Sequence, residues 1–251
     1  STLLASSAAS DVYKRQMRAI KTAFFQMLLF LRKDMMLFAA CCSPVLIGII
    51  FKFGIPAAEE ILNRYIDFPL IRYYEIFDVL FALLTPLMFC FTASMIILEE
   101  LDDNIAKYLL ITPLNKMGYL AARMFIPCGV AFIVSAVLLP VFSLEQMSFG
   151  KILYFSACGV LQGCTIALLV ITFSTNKLEG MGITKLSSLL ILGLLVPYFV
   201  PGKVQYILSF LPSFWMGKAI YEDSLSCMII SLVCFTIWIS ALLKKFLLKI
   251  V

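Results

Sequence analysis

Six apolar runs, each near the roughly 20 residues that a helix needs to cross a bilayer, set what this chain can become. They fall at about residues 35–55, 76–98, 119–142, 152–173, 183–200 and 225–243. In hydrocarbon every backbone N–H and C=O must be satisfied inside the protein, and a helix does this within one segment. The expectation is an all-α integral membrane protein with six transmembrane helices. Composition agrees: 62% of residues are hydrophobic and 14% charged, against about half and a quarter in a soluble domain.

The ends and the loops carry the polar information. Residues 1–16, S-T-L-L-A-S-S-A-A-S-D-V-Y-K-R-Q, have no apolar core and precede Met17. They are expected to be a non-native or disordered leader. From Met17 to Asp34, Ile20, Phe24, Met27, Leu28 and Leu31 form one stripe, with Arg18, Lys21, Arg32 and Lys33 around it. That is a basic amphipathic helix suited to lie at a membrane surface.

Asp78 falls near the outer end of the second run and is expected to be wet; Thr85-Pro86 is expected to kink that helix. Gly159 and Gly163 form a G-x-x-x-G, which permits close helix approach and a possible dimer contact. Gln162 is expected to hydrogen-bond between helices. Ser174–Lys185 reads as a polar inner loop, and the stretch around Leu211-Pro212-Ser213-Phe214-Trp215 as a half-inserted outer segment.

Between the second and third runs lies a polar segment, Ile97–Arg123, I-L-E-E-L-D-D-N-I-A-K-Y-L-L-I-T-P-L-N-K-M-G-Y-L-A-A-R. Glu99, Glu100, Asp102 and Asp103 cluster where the second run stops, and Glu100 is expected to cap the short helix that follows and to pair with a basic residue, Arg123 being the candidate. Leu101, Ile105, Tyr108, Leu109 and Thr112 recur at helical spacing and share a face. Asp103 and Lys107 stand in the favourable acid-then-base order four apart. Acids in a first turn suit the helix dipole, and Thr112-Pro113 ends the helix. The pattern predicts a short amphipathic helix at the water interface between the second and third spans.

Orientation follows from basic residues. With Met17 inside, the inner ones are Arg18, Lys21, Arg32, Lys33, Lys107, Lys116, Arg123, Lys177, Lys185, Lys244, Lys245 and Lys249. The outer ones are Lys52, Arg64, Arg72, Lys151, Lys203 and Lys218, half as many. Both termini and the Glu99–Arg123 segment are therefore expected in the cytoplasm of a plasma-membrane protein.

These residues carry a resemblance. Glu99-Glu100, Tyr108-Leu109-Leu110, Thr112-Pro113-Leu114, Lys116, Gly118-Tyr119-Leu120 and Arg123 match the acid, short helix, T-P-L turn and basic residue of the ABC-2 class of ABC transporter permeases. Within it the chain resembles multidrug and fluoroquinolone-export-like permease subunits. The likeness extends to the amphipathic helix before the first span, the family's elbow helix, and to the L-P-x-x-W stretch. Many members have glycine about four residues after the acid; this chain has Asn104, which also tolerates turn conformations.

The resemblance implies a single ABC-2 permease domain over residues 17–251. It further implies a coupling helix between spans two and three that docks on a separate ATPase. Glu99, Glu100, Ile105, Tyr108, Leu109, Thr112, Pro113 and Arg123 would form the coupling site. A second permease chain would complete a homodimer or heterodimer. No cofactor would bind this chain, ATP and Mg being held by the partner ATPase.

Other chemistry finds little support. No G-x-x-x-x-G-K-[ST] is present to bind nucleotide. Glu99-Glu100 resembles the E-E-x-x-x-R of CAAX-processing proteases, but position 104 is Asn and the chain has no His. A G-x-S-x-G elbow is also missing. The eight cysteines lie within or at the edges of apolar runs, without a C-x-x-C, as small buried hydrophobes do. Nothing resembles a basic, aromatic-rich nucleic-acid surface, and no metal site is expected. A secondary transporter or a non-catalytic structural subunit is the alternative. The first would want charges near mid-span, and the second leaves the polar segment without a purpose.

Overall fold

A computed structural model of the chain describes residues 2–65, 70–111 and 115–249. Among them all regular structure is helical. An N-terminal helix, Thr2–Lys33, is followed by six helices long and apolar enough to cross a membrane. These are span 1 (Met35–Tyr65), span 2 (Leu70–Asp102), span 3 (Lys116–Phe142), span 4 (Phe149–Phe173), span 5 (Lys177–Phe199) and span 6 (Leu225–Lys249). A short helix, Ile105–Ile111, joins spans 2 and 3, and another, Pro212–Tyr221, lies between spans 5 and 6.

Spans 2 and 4 form the centre. Within their most apolar windows 72% and 78% of residues are buried, against 17–33% for the other four spans. Small residues allow this. A Cβ on Gly159 would collide with the Ala82 carbonyl, and one on Gly163 would stand 2.9 Å from Cys90 Sγ. The G-x-x-x-G thus packs span 4 on span 2 of the same chain, the close helix approach that the motif permits. Pro86 strengthens the fit: lacking an N–H, it leaves the Ala82 carbonyl four residues earlier without its helical donor. That carbonyl faces the Gly159 backbone, where a Cα–H···O contact is available. Gln162, beside these glycines, is buried, and its Oε1 has no hydrogen-bond partner among the described residues.

Two spans loosen into π turns, Ile50–Gly54 and Ala121–Phe125. Each ends two residues before a proline, Pro56 or Pro127. Both prolines remove an N–H that would have bonded the carbonyl four residues earlier, and a widened turn relieves the crowding.

Three expectations change. Residues 2–16 continue the N-terminal helix instead of standing apart from it. Span 5 begins at Lys177, inside the stretch read as a polar loop. Asn176 caps it, accepting from Glu179 N at 2.8 Å, while the Glu179 carboxylate returns to Thr175 N at 2.6 Å; two orphan donors are satisfied together. Asp78 is 1% exposed, not wet: its two oxygens accept from Leu144 N at 2.8 Å and Glu145 N at 3.0 Å, holding the turn between spans 3 and 4.

The L-P-S-F-W stretch does not cross the bundle. A 3-10 turn, Lys203–Leu208, leads into the Pro212–Tyr221 helix. Its Gly217 lies so close to span 5 that a Cβ would meet the Leu194 carbonyl. Lys218, 6% exposed, is held by Tyr206 and by Glu222 at 3.5 Å.

Candidate functional site

The expected coupling residues gather where span 2 stops at Asp102. Span 2 runs one turn further than the sequence pattern suggests, because its acids find partners. Glu100 is buried and takes three donors. Tyr119 O–H donates at 2.9 Å, Arg123 Nε at 3.0 Å, and Arg123 Nη2 completes a forked ion pair. Arg123 is itself only 3% exposed. Its remaining nitrogen, Nη1, donates to the Ala23 carbonyl of the N-terminal helix. One guanidinium therefore joins span 2, span 3 and the N-terminal helix. Its planar fork suits this, and an ammonium could not match the paired geometry. Arg123 sits in the π turn created ahead of Pro127, which carries the side chain inward.

Glu99, the preceding residue, faces the other way. Its Oε2 lies 2.6 Å from Lys177 Nζ at the start of span 5. The same ammonium lies 2.9 Å from Asp34 Oδ2, while Lys177 N donates to Asp102 Oδ2 at 3.2 Å. Asp34 caps span 1, accepting from Met36 N at 3.0 Å and Leu37 N at 3.2 Å. The bond from Lys177, then the two amides, hold the Asp34 carboxyl below its ordinary value. Lys177 and Asp34 were not among the sequence-derived site residues. The Asn176-x-x-Glu179 cap was the signal that a helix, and hence a fixed position for Lys177, begins here.

The chain turns between Asp103 and Asn104, where Asn104 takes a left-handed φ of 57°. This is the conformation that glycine adopts most freely, and asparagine is among the residues that tolerate it. The acids accordingly end span 2 and do not open the next helix, which starts at Ile105. That helix divides by face. Ala106 is 1% exposed and packs with Ala23, Tyr119 and Ala122, and Leu109 lies partly buried against them. Ile105 is 42% and Tyr108 71% exposed. The single shared stripe expected from spacing is thus split: Leu109 packs toward the N-terminal helix, Ile105 and Tyr108 point away. Thr112 and Pro113 lie outside the described residues, as does the Lys107 side chain expected to pair with Asp103.

Chemically this is a mechanical junction. Among the described residues Glu100 is matched by Arg123 and Tyr119, and Glu99 and Asp34 share Lys177. Among the described residues no group of three or more His, Cys, Asp or Glu is placed to hold a metal.

Comparison with known proteins agrees with the resemblance to ABC-2 permeases. The fluoroquinolones export permease protein MT2760 of Mycobacterium tuberculosis (strain CDC 1551 / Oshkosh) is 25% identical over 201 residues, 76% of this chain and 77% of its own length. The fluoroquinolones export permease protein Rv2686c of Mycobacterium tuberculosis (strain ATCC 25618 / H37Rv) matches to the same extent. No solved structure matches the chain. The family described as fluoroquinolones export permease protein Rv2686c-like matches residues 28–248, from the N-terminal helix through nearly all of span 6, and the chain belongs to that family.

Proposed function

We propose that this protein is the membrane-spanning subunit of an ATP-driven exporter, powered by a separate ATPase that docks on the Ile105–Ile111 helix. The observation that carries the proposal is the two-faced character of that helix. One side is fixed through Ala106 and Leu109 to the junction that Arg123 organises. The other holds out Tyr108, 71% exposed, with no core of its own to fill. An apolar face at a polar membrane edge is covered by headgroups or by a partner. Asp102, Asp103 and the nearby acids disfavour an anionic leaflet, so a partner groove is the better fit.

The two-to-one excess of basic residues favours placing both termini and this helix in the cytoplasm. ATP and Mg would bind the ATPase, whose movement would pass through the helix into spans 2 and 3. A second permease chain would complete the pathway. The relatives named as fluoroquinolones export permeases make fluoroquinolones, which are amphipathic, the first substrates to try.

The test is purification of the full chain from its own membranes, followed by reconstitution into vesicles. An ATPase subunit should co-purify, and ATP on its side should drive ciprofloxacin across the bilayer. Transport driven by an ion gradient with no ATPase bound would favour the secondary-transporter alternative. A chain with neither partner nor transport would be a structural subunit.

A further inference from the structure

We infer that Lys177 is a positioning residue that ties span 5 to the coupling junction, so that movement of the Ile105–Ile111 helix reaches span 5 as well as spans 2 and 3. The inference rests on the proposed ATPase coupling.

Adjacent glutamates at the end of span 2 lead in opposite directions. Glu100 reaches span 3 and the N-terminal helix through Arg123 and Tyr119. Glu99 reaches span 5 through Lys177 at 2.6 Å, and through the same ammonium reaches the Asp34 cap of span 1. Asp102, two residues before the turn into the short helix, holds the Lys177 backbone N–H. Span 5 is thus bonded to span 2 by both the side chain and the main chain of one residue, next to the point where the short helix attaches. Gly180 closes the gap one turn on: a Cβ there would collide with Leu98 Cδ1. The backbone of span 5 consequently rides on span 2, and Lys177 fixes its position. The three charged side chains are 24–29% exposed, at the edge of the water. An ion pair placed there breaks and reforms at lower cost than the buried Glu100–Arg123 pair. Span 5 also carries Leu194 against Gly217 of the Pro212–Tyr221 helix, so a displacement of span 5 reaches the opposite end of the bundle.

Hydrogen exchange on the full complex with its ATPase, with and without ATP and vanadate, tests this. In the wild type, nucleotide should change protection at 105–111 and at 176–184. In Lys177→Gln the change at 176–184 should fall at least about five-fold, the lower end of ordinary coupling effects, while that at 105–111 persists. Lys177→Arg should restore it, which a general loss of packing would not allow. Should Lys177→Gln not accumulate, the wild-type comparison and Asp34→Asn still decide. Asp34→Asn leaves the Glu99 pair in place and should keep the 176–184 response. An unchanged response at 176–184 in Lys177→Gln, its loss in Asp34→Asn, or a wild type that responds at 105–111 alone would overturn the inference. A wild type that responds at neither segment would sink the ATPase-coupling proposal itself.

Discussion

Removing the charge of Glu100 is the sharpest perturbation of the junction. In Glu100→Gln, Arg123 remains charged at 3% exposure with no anion to face it. Breaking a buried pair from one side costs about 3–5 kcal/mol. Glutamine keeps an acceptor for the Tyr119 hydroxyl, so the lower end, about 3 kcal/mol, is expected. For a chain of this size that corresponds to a fall of roughly 6–12 °C in Tm, measured by intrinsic fluorescence of the detergent-solubilised protein. Arg123→Gln should cost about as much, because it strands Glu100 and also frees the Ala23 carbonyl. The double variant Glu100→Leu/Arg123→Met should regain much of the loss, since packed apolar side chains often replace a buried pair at little net cost. Export should nevertheless stay low in the double variant, because the link from span 2 to the N-terminal helix is gone. A Glu100→Gln protein melting within about 2 °C of wild type would refute the reasoning, as would full export by the double variant.

Three further outcomes follow from the packing. Gly159→Ala forces a methyl onto the Ala82 carbonyl and should lower stability by about 1–3 kcal/mol, read as a lower Tm; an unchanged Tm would mean that spans 2 and 4 are not in this register. Asp78→Ala leaves the Leu144 and Glu145 amides unpaired and should speed their hydrogen exchange without altering that of residues 105–111. Asp34→Asn should destabilise at neutral pH. The folded carboxyl titrates below its ordinary value of 3.8, so its contribution is present above that pH and lost as pH falls through the folded value. The Tm gap between wild type and Asp34→Asn should therefore close on acidification below that value.

The six spans were legible because crossing hydrocarbon demands long apolar runs, and that demand is written residue by residue. The Glu100–Arg123 pair was legible in part: Glu100 was expected to pair with a basic residue, Arg123 being the candidate, and to cap the short helix, whereas the structure buries it at the end of span 2. That both are buried depends on Tyr119, on Ala23 and on the π turn before Pro127, which come together only in three dimensions. Sequence spacing placed Ile105, Tyr108 and Leu109 on one face. The packing separates them because the N-terminal helix, more than eighty residues upstream in sequence, covers Ala106 and Leu109. Asp78 was misread as wet because nothing local announces that the backbone amides after Ser143 will close over it. The polar look of Ser174–Lys185 hid a capped helix whose glycine, Gly180, exists to let it lie on Leu98.

The claim on which the account rests is that the outer face of the Ile105–Ile111 helix meets an ATPase. The direct measurement is a photo-activated cross-linking residue at Tyr108, with the same residue at Leu109 as a control, in the full chain in its native membrane. Position 108 should capture a nucleotide-binding subunit that carries a phosphate-binding loop, and position 109 should cross-link within the chain to the N-terminal helix. Capture of lipid alone at 108, while an ATPase still co-purifies, would contradict it.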